Sequence, residues 1–163
     1  MKTLLALFLL IMTTIAAPPA PVTPKPPVGV PADAKFFNGK WYRVYVEETK
    51  TWVRAKERAE AAGGQLACAI NAETHAFISA LASNRTLWIG GMRGSDALWY
   101  WVDGTQFTFT AWATNQPDGT KGENWVVIHE GRWHDNNGRG NVPIVGFVAE
   151  WPKSRASKSA SAQ

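Results

Sequence analysis

The sequence predicts an α+β domain, with two helices followed by short antiparallel strands and long loops. Three observations carry this. Two helix-periodic runs with clear caps lie in the first half of the chain, strand-like phrases separated by glycine turns fill the second half, and nine tryptophans supply a core.

The first helix is the run TWVRAKERAEAA. Thr51 caps it, Trp52, Ala55, Ala59 and Ala62 recur at helical spacing, and Gly63-Gly64 stops it. A second helix spans Asn71 to Ser83, with Asn71 and Glu73 at its start and Phe77, Ile78 and Leu81 on one face. His75 within it reads as a surface or helix-start residue and not a ligand. Ahead of both helices, an Asn38-Gly39 turn precedes the alternating stretch Trp41 to Val46, which argues a strand pair. From Leu87 the phrases TLWIGG, ALWYWVDGT, FTFTAW, NWVVIHEG, RWHD and VGFVAEW read as strands. Gly90-Gly91, Asp103-Gly104 and Asp118-Gly119 supply the turns.

The folded domain is expected over 33–151. Residues 1–16 have the pattern of a secretory signal peptide: a single Lys2, an apolar run from Leu4 to Met12 and small residues at Ala16 and Ala17. That run is too short to span a bilayer comfortably. Residues 17–32 form a Pro-rich linker that holds seven of the ten prolines and favours an extended polyproline-II spacer. Residues 152–163 are small, polar and basic, the composition of a disordered tail. The expected product has no membrane span and is secreted, extracellular or at a cell surface, or periplasmic in a bacterium. Asn84-Arg85-Thr86 is an N-glycosylation sequon with meaning only in a eukaryotic source.

The formal charge of +4 belongs to the ends, because 33–151 carries 12 basic and 13 acidic residues. Its basic residues are scattered among acids, which argues against nucleic acid as a partner. Cys68 is alone and closes no internal bridge; in the run LACAI it reads as a small buried apolar residue.

The stretch QPDGTKGENWVVIHEGRWHD, from Gln116 to Asp135, is the candidate site. It brings an amide and three carboxylates, Gln116, Asp118, Glu123 and Asp135, close together around a proline and several glycines. Mixed carboxylate and amide oxygens in a flexible loop suit calcium, a hard cation that takes about six to eight oxygen ligands. The competing readings are ordinary turn formation by the same residues and a zinc site using His129, His134 and a carboxylate. The two histidines lack a recognisable zinc spacing. Enzyme chemistry is not expected: Asp118 and Glu123 read as co-ligands and not an acid–base pair, Cys68 has no positioned base, and no nucleophile elbow is present.

Taken as a series, the phrases resemble the C-type lectin domain family. TWVRAKERAEAAGGQLA looks like its first-helix phrase, LWIGG its Trp-Ile-Gly strand, and LWYWVDGTQFTFTAWATNQPDG its Trp-x-Trp-x-Asp-Gly hairpin running into a calcium loop. GENW, RWHD and GFVAEW look like its last three segments. The resemblance covers about Phe37 to Trp151 and implies a C-type lectin-like fold with a long calcium-binding loop. It implies that Pro117 is a cis-proline turning Gln116 and Asp118 to the same side, that Glu123 is the next acidic ligand, and that Asp135 is the Asp of the Trp-Asn-Asp segment. Two vicinal sugar hydroxyls would complete the metal shell, contacting Gln116, Asp118, Glu123, Asn124 and Asp135. Gln-Pro-Asp looks like the galactose-type variant.

The sequence also departs from that pattern. His134 stands where the segment has Asn, and imidazole is a poor ligand for calcium, so Asn136 or water is the replacement there. No aromatic residue follows Asp118. The positions that match the family's cysteines read Ala59, Trp125 and Ala149, with only Asn, Gly and Arg after Asp135 for the fourth. A disulfide contributes about 2–4 kcal/mol, and a packed Trp125 is the expected source of part of that constraint. The function implied is a secreted calcium-dependent carbohydrate-binding module acting on a carbohydrate or glycoconjugate. The alternative is a calcium-independent or protein-binding domain of the same fold. No coiled-coil segment is present, and the oligomeric state stays open.

Overall fold

The computed structural model describes residues 24–119, 122–139 and 143–152. The expected signal peptide, the first part of the linker and all but Pro152 of the tail lie outside them. In chain order the elements are β1 (Lys35–Phe37), β2 (Lys40–Val46), α1 (Trp52–Ala61), β3 (Gln65–Leu66), α2 (Ala72–Ala82), β4 (Leu87–Arg93), β5 (Trp99–Trp101), β6 (Trp125–His129), β7 (Arg132–Asn136) and β8 (Gly146–Pro152).

Both helices start at the residues expected to cap them. The Thr51 hydroxyl accepts from the Arg54 N–H at 3.2 Å, and Asn71 Oδ1 accepts from the Thr74 N–H at 2.8 Å, each satisfying a first-turn donor that has no partner within the helix. Helix α1 buries Trp52, Ala55 and Ala59, and Gly63 takes a left-handed φ of 77° just past its end. Helix α2 buries a stripe of Thr74, Ile78 and Ala82, with Phe77 and Leu81 flanking it as partly buried neighbours.

Among the described residues the strands form one sheet in the order β1-β2-β8-β4-β6-β7, with β3 added on β8 and β5 on β4. The expectation of antiparallel pairing holds except at the centre, where β4 and β8 run parallel at Trp88 and Phe147. Alternation along the central strands feeds two cores on opposite faces. Leu87, Ile89, Val126, Ile128 and Val148 join α2's Ile78, while Trp88, Val127, Phe147 and Ala149 join α1's Trp52, Ala55 and Ala59.

Tryptophan dominates both cores. Trp41, Trp52, Trp88, Trp101, Trp133 and Trp151 are buried, and buried indoles need acceptors for their N–H groups. Trp52 donates to the Ile89 carbonyl (2.8 Å), Trp88 to the Thr49 carbonyl (3.1 Å) and Trp151 to the Ala62 carbonyl (3.1 Å). Trp133 instead donates to Nδ1 of His75 at 3.1 Å. This revises the reading of His75 as a surface residue: its ring is half-buried, lies against Phe109 and Trp133, and serves the core as an acceptor.

Two further differences have physical causes. FTFTAW forms no strand; it runs as a loop held by single bridges from Gln106 to Tyr100 and from Trp112 to Trp133. Its alternating aromatics pack side chains, Phe107 on Trp101 at 4.1 Å and Phe109 on Trp133 at 5.6 Å, without a backbone ladder. Within the expected linker, the chain turns at residues 28–30, the Val30 N–H bonds to the Pro27 carbonyl, and the Val30 side chain packs against the α1-side core. Val30 of that stretch is therefore packed onto the folded body. Finally, Glu150 is fully buried and orders the last strand. Its carboxylate accepts from Lys40 Nζ at 2.7 Å, Gln65 Nε2 at 2.9 Å and the Cys68 N–H at 3.2 Å. Cys68 is buried beside it, and burial followed by the Glu150 charge pushes its thiol well above the ordinary range. That is a packed residue and not a nucleophile.

Candidate functional site

The site is assembled where the loop after Trp112 meets the end of β7. Trp133 fixes that junction through its backbone. Its N–H donates to the Ala111 carbonyl and its carbonyl accepts from the Ala113 N–H, both at 2.9 Å, so the segment that leads to Gln116 is tied to the strand that carries Asp135. The Gln116–Pro117 peptide is cis. The side chains of Gln116 and Asp118 lie on one side, Nε2 to Oδ2 at 3.5 Å.

Asp135 is buried beneath this loop. Its Oδ1 accepts from the Asp118 N–H at 3.1 Å and its Oδ2 from the Gly119 N–H at 2.8 Å, while its own N–H donates to Gln116 Oε1 at 3.2 Å. Gly119 is needed for this geometry, because its φ of 64° is the left-handed conformation that lets two successive N–H groups face one carboxylate. Asp135 thus has a structural task that the sequence did not reveal.

Asp118, Glu123 and Asp135 each place a carboxylate oxygen within 4.8 Å of the others, with Asp118 exposed, Glu123 half-buried and Asp135 buried. Calcium–oxygen bonds of about 2.4 Å put opposite ligands of one ion about 4.8 Å apart, so this spread matches a single calcium shell. The donor set fits the metal in kind as well: three hard carboxylates, with the Gln116 amide oxygen bonded to the N–H of one of them. Among the described residues this is the one group of three such side chains close enough to share an ion.

Asn124 follows Glu123, and its carbonyl accepts from the Arg93 N–H at 2.8 Å, which stitches the end of β4 to the carboxylate segment. His134 is not in that group, and the Asn136 amide oxygen is engaged by the Gly138 N–H. Strand alternation turns them to the opposite face of β7 from Asp135. There His134 lies against His129, with ring centroids 5.4 Å apart, and Asn136 Oδ1 accepts from the Gly138 N–H at 2.7 Å. His129 is itself held by Thr86, Nδ1 to Oγ1 at 2.7 Å. Burial, then the neighbouring His129, hold the His134 imidazole below its ordinary value, which favours its neutral form. Glu130 Oε1 lies 4.0 Å from His129 Nε2, but among the described residues the two histidines and a carboxylate form no group of three close enough to share an ion. One residue near the site carried no sequence signal: Arg93, brought over Gly119 only by the pairing of β4 with β6.

The chain has counterparts among known proteins. The family described as Lectin C-type domain matches residues 48–145, more than half of the chain. C-type lectin domain family 4 member F of Mus musculus is 33% identical over 110 residues, covering 62% of this chain and 20% of that protein. The alpha-N-acetylgalactosamine-specific lectin of Patiria pectinifera is 35% identical over 116 residues, covering 61% of this chain and 68% of that protein. The chain therefore spans about a fifth of the length of the mouse relative. Among solved structures, the mouse scavenger receptor C-type lectin carbohydrate-recognition domain superposes with a TM-score of 0.67 at 25% identity, over 76% of this chain and 97% of that one. Herring type II antifreeze protein superposes at 0.64 and 25% identity, over 76% and 98%. With the family match, the fold and the loop in agreement, the chain belongs to the C-type lectin domain family.

Proposed function

We propose that this chain is a calcium-dependent carbohydrate-binding module whose site is Gln116, Asp118, Glu123 and Asp135, with Asn124 as a sugar contact. The observation that carries the reading is the gathering of three carboxylates within 4.8 Å beside the Gln116 amide. When bound, calcium supplies coordination positions that two vicinal sugar hydroxyls complete. Asp118 and Glu123 would accept hydrogen bonds from those hydroxyls, and the amides of Gln116 and Asn124 would donate to their lone pairs. The order of amide and acid around Pro117 supports a galactose-type preference, as does the likeness to a lectin named for alpha-N-acetylgalactosamine. The N-terminal pattern of residues 1–16 supports export, with the module secreted or displayed at a cell surface.

A second reading has its own observation. Asp135 already holds the Asp118 and Gly119 N–H groups, so this part of the loop is fixed by protein contacts alone, as a calcium-independent or protein-binding domain requires. Thermal melts with calcium and with chelator separate the two. Under the leading reading, millimolar calcium raises the melting temperature, and a glycan array then shows binding to galactose-type sugars that chelator removes. No shift with calcium leaves the second reading in its place.

A further inference from the structure

We propose that Arg93 is a specificity-determining residue that directs this site toward acidic sugars, those bearing a carboxylate or sulfate. The inference rests on the carbohydrate-binding reading above and names the class of sugar.

Arg93 closes β4, and its position is fixed at two points. Its N–H donates to the Asn124 carbonyl at 2.8 Å, and its Nε donates to the Ala97 carbonyl at 3.3 Å. What remains of the guanidinium reaches across the loop: Nη1 lies 3.4 Å from where a Cβ on Gly119 would sit. Gly119 directly follows Asp118, and its N–H is held by Asp135. The guanidinium therefore stands at the rim of the carboxylate cluster, over a residue whose lack of a side chain leaves room for it.

Despite this closeness, Arg93 forms no ion pair with a carboxylate among the described residues. The Asp135 carboxylate accepts from the Asp118 and Gly119 N–H groups and lies within 4.8 Å of the carboxylates of Asp118 and Glu123. A half-exposed guanidinium with Nε tied down offers its two terminal nitrogens as a flat fork, the geometry that binds carboxylate or sulfate through two hydrogen bonds. A divalent ion and Arg93 together offset the charge of Asp118, Glu123 and Asp135. The loaded site then does not repel an anion, and the Arg93 fork at its edge selects for it.

The test uses the whole chain with saturating calcium and compares galactose, galactose 6-sulfate and galacturonate as probes, against wild type, Arg93→Gln and Arg93→Lys. Wild type should favour one or both acidic probes over galactose, and high salt should narrow the difference. Arg93→Gln should lower the anionic-to-neutral affinity ratio about tenfold, with Arg93→Lys in between because it keeps charge and loses the fork. The calcium-induced rise in melting temperature is recorded for every variant and reports separately on the loop. A calcium shift with the same affinity ratio in wild type and Arg93→Gln would overturn the assignment of Arg93 alone. No calcium shift in wild type would overturn the carbohydrate-binding reading and this inference with it.

Discussion

The indole N–H of Trp133 donates to Nδ1 of His75 at 3.1 Å, so a buried donor in the strand that carries Asp135 depends on an unprotonated histidine in α2. Burial holds the His75 imidazole below its ordinary value, and burial does the same to His134. Both groups bind protons more readily in the unfolded chain, at about pH 6.5. Their contribution is fully present above that value and is lost as pH falls from there through the lowered native values. Urea midpoints at about pH 7.5 and about pH 5 should therefore differ more for wild type than for His75→Asn with His134→Asn. Equal pH dependence in the two proteins would contradict the assignment.

Asp118 and Asp135 should separate metal binding from loop structure. Asp118→Ala is expected to abolish the calcium shift while costing about 1 kcal/mol or less, because the side chain is exposed. Asp135→Ala removes the acceptor of two backbone N–H groups, each bonded to a charged group, and should cost about 3 kcal/mol with or without calcium. Chemical denaturation in chelator is the measurement. A stable Asp135→Ala protein would show that the loop does not need its carboxylate.

Lys40 and Glu150 form an ion pair at 2.7 Å in which the Glu150 side chain is fully buried and Lys40 is 27% exposed. Lys40→Met leaves that carboxylate with neutral partners such as the Gln65 amide and the Cys68 N–H and no cation, and should destabilise by about 3 kcal/mol. Adding Glu150→Gln removes the stranded charge and should recover part of the loss. A double variant less stable than Lys40→Met would argue that the carboxylate is needed for its hydrogen bonds more than for its charge.

Trp125 stacks on Trp52 with centroids 6.4 Å apart, next to the start of α1. Trp125→Ala should cost about 2 kcal/mol, below the usual range for a fully buried aromatic because Trp125 is half-buried. Thermal melts with and without reductant should coincide for the parent protein, since Cys68 is buried and is the sole cysteine in the sequence.

The helices were legible because their signals are local: Thr51, Asn71 and the apolar spacings decide where each begins and which face it buries. The carboxylate cluster was legible in membership, since Gln116, Asp118, Glu123 and Asp135 meet as their order implied. What escaped was anything set by facing direction or by distant pairing. His134 is adjacent to Asp135, yet one step along a strand turns it to the other face. Arg93 is far from Gly119 in the chain and reaches it only through β4 and β6. FTFTAW has strand periodicity, but aromatic side-chain packing satisfies that periodicity equally well.

That Ala59, Trp125 and Ala149 are not cysteines reaches beyond stability. Ala59 and Ala149 are fully buried in one core with Trp125 packed at its edge, and closure of the domain there draws on side-chain packing. Oxidation is then no step in maturation. With Cys68 as the sole cysteine in the sequence, the packing of this domain does not depend on the redox state of an internal disulfide.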